Sequence, residues 1–429
     1  MGGCVAMSAS AQETKQSQDL SVELNPVVVT GTGTHHRLKD TPTPVEVVTA
    51  NDIKKAGITD FREAMTALVP SLSFSTNSMG DYLMLNGLSN KYVLILINGK
   101  KLTGDSSNNI DLNRIDMSNV KRIEVLKGAG SALYGSDAIG GVINIITNQP
   151  INDITVTSNT KVEERGQFTQ TANVDIKTEK FASYTSYQRR QADGWTLTRV
   201  DADGEARDQH DANAFYTDNY TQMFQFTPND KLSMYVEGSY YDRTVKRQPE
   251  YLKYNLTYDA YSLGAGAKYN FNKRSYIQFD IKNDNYDTNY LYTNEDGDNK
   301  VGDEVRQKRQ HYYSGNLKSL FRFTENTRTI FGVEYIQETL DRPSFNVDER
   351  AYTWAAYAQE EITLFKNLQI QAGLRYVYHE TAKSNVTPKL AVMYRLGDFT
   401  IRGQYSAGFR APGLDELYKY SYSQRGTRA

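Results

Sequence analysis

Two short stretches set several carboxylates around a glycine. These are Asp201, Asp203 and Glu205 in "DADGE", and Glu295, Asp296 and Asp298 in "NEDGD". Closely spaced oxygen ligands at a glycine turn are the chemistry of a calcium loop. Neither stretch completes the twelve-residue spacing of an EF-hand, and a solvated acidic loop is the simpler reading. Cys4 is the only cysteine. That excludes an intramolecular disulfide and a cysteine metal cluster. His35 and His36 stand in a Gly/Thr/Pro-rich stretch and are expected in solvent. His210, His311 and His379 are isolated from one another and do not suggest metal ligation. No HExxH, Walker A or nucleophile-elbow string occurs, so nothing in the sequence points to an enzyme.

The elements that must position these residues are read from composition and pattern. The chain has 429 residues and a formal net charge of -2, which gives no global basic field for nucleic acid. Mean hydropathy is -0.62, and no run of about 18 apolar residues predicts a membrane helix. Tyrosine is abundant, 31 against 16 Phe and 2 Trp. Its apolar body and polar tip suit a boundary between oil and water, and it is a strand former. A polar, tyrosine-rich chain without apolar helices fits a transmembrane β-barrel, or a soluble all-β protein.

Residues 1–11 end in Ala9-Ser10-Ala11, a small-x-small pattern, and read as the remnant of an export signal whose start is missing. Residues 12–44 are polar and Gly/Thr/Pro-rich around a β-prone core, Val27 to Thr30, and are expected to form a flexible tether. Residues 45–149 read as a small α/β domain. Val45 to Val48, Tyr92 to Ile97 and Val120 to Leu126 are strands, with Asn98-Gly99 as a turn. Asn51 or Asp52 is placed to cap a first helix. Asp60 is placed to cap a second, with Phe61, Ala64, Met65 and Leu68 on one face. Five glycines, Gly128, Gly130, Gly135, Gly140 and Gly141, precede a last strand over Val142 to Thr147. Such density requires backbone packed closely against a neighbour.

From residue 150 the texture changes to alternating strands of roughly ten residues. In "LQIQAGLRY", Leu368, Ile370, Ala372, Leu374 and Tyr376 share one face, and Gln369, Gln371, Gly373 and Arg375 the other. The polar face is too wet for a sandwich core. A barrel with lipid outside and a polar lumen accounts for it. Short turns alternate with long charged loops, the asymmetry of outer-membrane barrels. The fold class is therefore membrane all-β: a transmembrane antiparallel β-barrel, residues 150–429, with the α/β domain as a plug in its lumen.

The stretches "LNGLSNKYVLILINGKKL", "IDLNRIDMSNVKRIEVLKGAGSALYGSDAIGGVINIIT" and "SAGFRAPGLDELY" resemble the TonB-dependent outer-membrane receptors. The first two resemble the family's plug and the third a barrel signature. Asn86-Gly87 stands where the family commonly has Arg-Gly. The resemblance implies an outer-membrane receptor of a Gram-negative bacterium for energy-coupled uptake of a metal chelate, with haem first, then a ferric siderophore or cobalamin. It implies that Val27, Val28, Val29 and Thr30 pair as an added strand with a TonB-type periplasmic coupling protein. An extended β-branched segment suits such pairing. The 14-residue tether from Gly31 to Pro44 would then reach up to about 46 Å. It also places ligand contacts on plug apices and an outer loop, at Met79, Tyr82, Phe409 and Arg410. Arg410 is suited to pairing with a ligand carboxylate. No intrinsic cofactor is expected. Calcium at the acidic loops and a surface ligand-binding lipoprotein are left open, and outer-membrane lipid is the surrounding partner. A passive porin or adhesin barrel is the alternative, and the plug motifs weigh against it. About 13 strands can be counted from residue 153 onward, against about 22 in plugged outer-membrane transporters, so the barrel is expected to be incomplete.

Overall fold

The computed structural model describes residues 26–418 except 78–79, 107–108, 201–203, 248–251 and 366. Its first body is a mixed sheet built from Val45–Thr49 (β1), Val93–Ile97 (β2), Lys100–Lys101 (β3), Val120–Lys127 (β4) and Gly141–Thr147 (β5). The spatial order is β1-β4-β5-β2-β3. Only β5 and β2 run parallel. β4 from Ile123 to Leu126 and β5 from Gly141 to Ile145 are buried because they lie between neighbours, with cover on both faces. Asn98 and Gly99 both have positive φ, as a two-residue type I′ turn between β2 and β3 requires. Asn86 and Gly87 make the same kind of turn between Leu85 and Leu88.

Two helices cover this sheet. Ala50–Lys55 (α1) is capped by Thr49, whose hydroxyl accepts from Asp52 N, while the Asp52 carboxylate accepts from Thr49 N at 2.9 Å. The cap therefore lies two residues earlier than Asn51, and Asp52 closes a capping box instead. Phe61–Leu68 (α2) starts at Asp60, whose carboxylate accepts from Glu63 N at 3.0 Å. Phe61, Ala64 and Met65 are buried in the main core with Ile95, Ile123, Val125, Ile143 and Ile145. Each such side chain contributes roughly 1.5–3 kcal/mol on burial.

The glycine-rich passage is packed as its composition requires. A β-carbon on Gly141 would lie 2.4 Å from both the Leu126 carbonyl oxygen and Leu85 Cδ2. Gly135, at φ +78°, would place one 2.9 Å from the guanidinium of Arg375 on the surrounding wall.

That wall is a thirteen-stranded antiparallel sheet in which every strand pairs with the next, from Ile154–Val162 to Phe399–Ser406. Among the described residues, Ile154–Val162 pairs only with Phe168–Lys177, and Phe399–Ser406 only with Lys383–Leu396. The strand count matches the expectation from sequence. Along Leu368–His379, Gln371 and Arg375 are buried towards the plug, while Leu374 and Tyr376 are exposed. The apolar face points outward, as a lipid-facing wall demands.

Two loop expectations change. A two-stranded ribbon, Trp195–Val200 with Ala206–Ala212, occupies much of the first long charged stretch. In the second, the strands run up to Tyr292 and resume at Glu304, because each finds its ladder partner beyond the bilayer-length core.

Candidate functional site

The N-terminal segment is not a free tether in this structure. Val27–Val28 pairs antiparallel with His36–Arg37, and residues 26–44 lie between plug and wall. Val28 is 1% exposed and Thr30 is fully buried. The cause is a single carboxylate. Glu124, on β4 and 0% exposed, accepts from Val29 N at 2.9 Å, Thr30 N at 2.8 Å and Thr30 Oγ1 at 2.6 Å. Arg122 Nε donates to its other oxygen at 2.8 Å. Asn144 Nδ2 donates to Thr30 Oγ1, and the Tyr134 hydroxyl to the Thr30 carbonyl, each at 3.1 Å. Burial, with Glu124 nearby, pushes the Tyr134 phenol well above its usual range.

The wall holds the next three carbonyls. Lys389 Nζ donates to Gly31 O at 3.0 Å, Gln359 Nε2 to Thr32 O at 2.7 Å, and Lys318 Nζ to Gly33 O at 2.5 Å. His36, expected in solvent, is buried and pairs with Glu361 at 3.1 Å. Local composition marks residues 31–44 as loop-like, but partners on distant strands satisfy their polar groups and let them be enclosed.

The plug is also anchored to the wall at its far side. Asp111 accepts from the hydroxyls of Tyr241 at 2.7 Å and Tyr286 at 2.9 Å, and pairs with Arg243 at 3.3 Å. Burial works against the Asp111 charge, but Arg243 and these hydrogen bonds outweigh it and hold the carboxyl below its usual range. Arg114 pairs with Asp284 at 2.7 Å.

Between plug edge, wall and the segment 407–418 lies a cavity of about 620 Å³. Lys101 lies at its side, 2.9 Å from Asp137 and 3.6 Å from Glu338. Burial opposes its charge, but these two carboxylates hold the ammonium well above its usual range. Arg410, Asp415 and Glu416 are among the residues that line the cavity.

The residues expected to bind ligand are not brought together. Arg410 lines the cavity, where it pairs with Glu416 and lies 3.6 Å from Asp137. Phe409 is half-buried, and its N–H donates to Ser131 Oγ at 3.1 Å. Tyr82 is half-buried opposite Ser75 in a plug hairpin and is not part of the cavity lining. Met79, Asp201 and Asp203 lie outside the described residues. Glu205 is exposed. Asp296 pairs with Lys253 at 3.1 Å, and Asp298 is exposed. Among the described residues no group of three or more His, Cys, Asp or Glu is placed to hold a metal.

Glu124, Asp137, Asp415 and Glu416 were not singled out from the sequence. Glu124 carried a signal: a lone carboxylate between Ile123 and Val125 in a strand buried on both faces requires a partner. Lys91 and Lys308, which meet the loop carboxylates, carried none.

Two family models match the chain. One described as TonB-dependent Receptor Plug Domain covers residues 37–142, and one described as TonB dependent receptor-like, beta-barrel covers residues 165–429. The iron-regulated outer membrane virulence protein of Vibrio cholerae is 25% identical over 97% of this chain and 64% of its own length. The vitamin B12 transporter BtuB of the same species is 25% identical over 92% of this chain and 64% of its own. The chain thus spans about 64% of the length of these curated relatives. Among solved structures, the siderophore receptor PirA from Pseudomonas aeruginosa superposes with a TM-score of 0.65 at 21% identity, covering 86% of this chain and 62% of that one. The FrpB iron transporter from Neisseria meningitidis gives 0.73 at 17% identity, covering 88% and 66%. These names speak of vitamin B12, siderophore and iron, and none of them speaks of haem.

Proposed function

Because the chain belongs to the TonB-dependent receptor family, we propose that it carries the plug, the coupling segment and thirteen wall strands of an outer-membrane receptor that imports an iron chelate or a corrinoid with energy supplied from the inner membrane. The work is binding and release, not covalent chemistry. A ligand arriving from outside meets the cavity at Arg410. On the periplasmic side a TonB-type protein pairs with Val27 to Thr30 by adding a strand. That pairing needs main-chain groups that now end on Glu124, so it must first undock the segment. Traction on the segment then acts on β4, in the middle of the plug sheet.

One observation carries this reading. The amides of Val29 and Thr30 and the Thr30 hydroxyl converge on one buried carboxylate of a plug strand. A passive channel has no use for that linkage, nor for a packed domain anchored in its lumen.

Val28→Pro tests it. Proline removes a backbone donor and resists strand pairing. Cells carrying the variant receptor should bind ligand as the wild type does and fail to import it. Growth at the wild-type rate on limiting ligand would show that Val27 to Thr30 is not the coupling segment.

A further inference from the structure

Beside the cavity, around the lining residues Asp415 and Glu416, lies an arrangement that the coupling reading leaves unused. Four cations converge on two adjacent carboxylates. Lys91 Nζ of the plug lies 2.5 Å from Glu416, and Arg410 pairs with the same carboxylate. Lys308 Nζ lies 2.9 Å from Asp415 and Arg342 3.6 Å from it, and Gln310 Nε2 donates to it at 2.9 Å. Lys308 and Gln310 come from Glu304–Phe321, and Arg342 ends Thr327–Arg342. Three separate elements of plug and wall therefore supply cations, while both carboxylates sit on one helical turn, Leu414–Leu417, of the returning loop.

Burial raises the Glu416 carboxyl, but hydrogen bonds from Lys91 and Arg410 outweigh it and bring it down to about 2. Leu414 packs on Leu340, Val347 and Ala351 and so holds the turn in place. The donors are not exhausted by these partners. The Nε–H groups of Arg342 and Arg410 are buried and make no hydrogen bond, that of Arg410 lying 3.6 Å from the Asp137 carboxylate. An anion with more oxygens than two carboxylates would use them.

We propose that Lys91, Lys308, Arg342 and Arg410 form a binding site for a multiply charged, oxygen-rich anion, which Asp415 and Glu416 occupy until the ligand displaces them. The inference rests on the receptor reading above and selects within it: an anionic iron chelate is favoured over an uncharged corrinoid. Self-occupation also weakens apparent affinity, because only the fraction of molecules with the loop withdrawn is competent to bind.

The test compares two probes on the receptor in detergent: iron(III) with excess 2,3-dihydroxybenzoate, a hexaanionic tris-catecholate, and cyanocobalamin, which carries no net charge. Asp415→Asn with Glu416→Gln should tighten the tris-catecholate roughly tenfold, and Lys91→Ala with Lys308→Ala should weaken it roughly tenfold or more. Glu416→Gln alone should tighten it in the same direction, and each variant is first checked for a wild-type tryptic pattern. Cyanocobalamin should not respond to any of them. Tris-catecholate binding that ignores both pairs of substitutions overturns this inference alone, as does a preference for cyanocobalamin. Failure of the wild type to bind the tris-catecholate also overturns this inference, while the receptor reading is decided separately by Val28→Pro.

Discussion

Glu124 is the residue on which the docking of the N-terminal segment depends. A buried carboxylate is tolerated only with full hydrogen-bonding, and Glu124 has it from Arg122, Val29 and Thr30. Glu124→Ala removes the one carboxylate oxygen that accepts three hydrogen bonds from the segment. Hydrogen bonds to a charged group contribute about 1.5–3 kcal/mol each, and part of that returns when the freed amides reach water. The segment should therefore undock to a measurable extent in the variant. A spin label at position 27, in a background where Cys4 is replaced, should change from an immobilised to a mobile spectrum. Glu124→Asp should recover part of the immobile signal. A spectrum that stays immobile in Glu124→Ala would show that the wall contacts to Gly31, Thr32 and Gly33 hold the segment unaided.

The elements that matter most to the plug are β4 and β5. They pair along seven positions, and their junction is set by Gly141, opposite Lys127 and pressed against Leu126. The obstacle to a larger residue is partly backbone, which cannot rotate away. Gly141→Ala should cost about 1–3 kcal/mol of plug stability as overpacking. Limited trypsin digestion of the folded receptor should then cleave the plug faster than the wall, and an unchanged cleavage rate would contradict the packing described. The helices tolerate more. The α2 cap at Asp60 also pairs with Arg190 of the wall at 2.7 Å, so one side chain both starts the helix and ties it to the barrel.

The whole molecule is a plug held inside a wall by polar anchors rather than by an apolar seam. Asp111 gathers Tyr241, Tyr286 and Arg243 from two wall strands, and Arg114 meets Asp284 nearby. Breaking one partner of a buried ionic group typically costs about 3–5 kcal/mol, because the others are left unpaired. Asp111→Ala should loosen the plug without removing the barrel. Cells bearing it should become more sensitive to a large polar antibiotic that the outer membrane normally excludes, and Asp111→Asn should show a smaller effect. Wild-type resistance in Asp111→Ala would mean that the remaining anchors suffice. Polar anchoring is also the kind that water can take over when the contacts part.

The sequence by itself determined whatever depends on neighbours within a few residues. Period-two alternation gave the wall strands and their number, Asn98-Gly99 the type I′ turn, Asp60 the α2 cap, and the clustered glycines a close backbone approach. These are consequences of local sterics and of which face meets lipid, and both are written into short stretches of chain. The tertiary structure alone decided the fate of residues 26–44. Their composition reads as a tether, yet Lys318, Gln359 and Lys389, some three hundred residues away, supply the partners that allow burial. It alone joined Val29 and Thr30 to Glu124, and it alone set Asp415 and Glu416 among Lys91, Lys308, Arg342 and Arg410. Such groupings arise when the wall curves around the plug and brings remote side chains into a space that excludes most water. There charge and hydrogen bonding act strongly over a few ångströms, and no periodicity along the chain encodes which residues will meet.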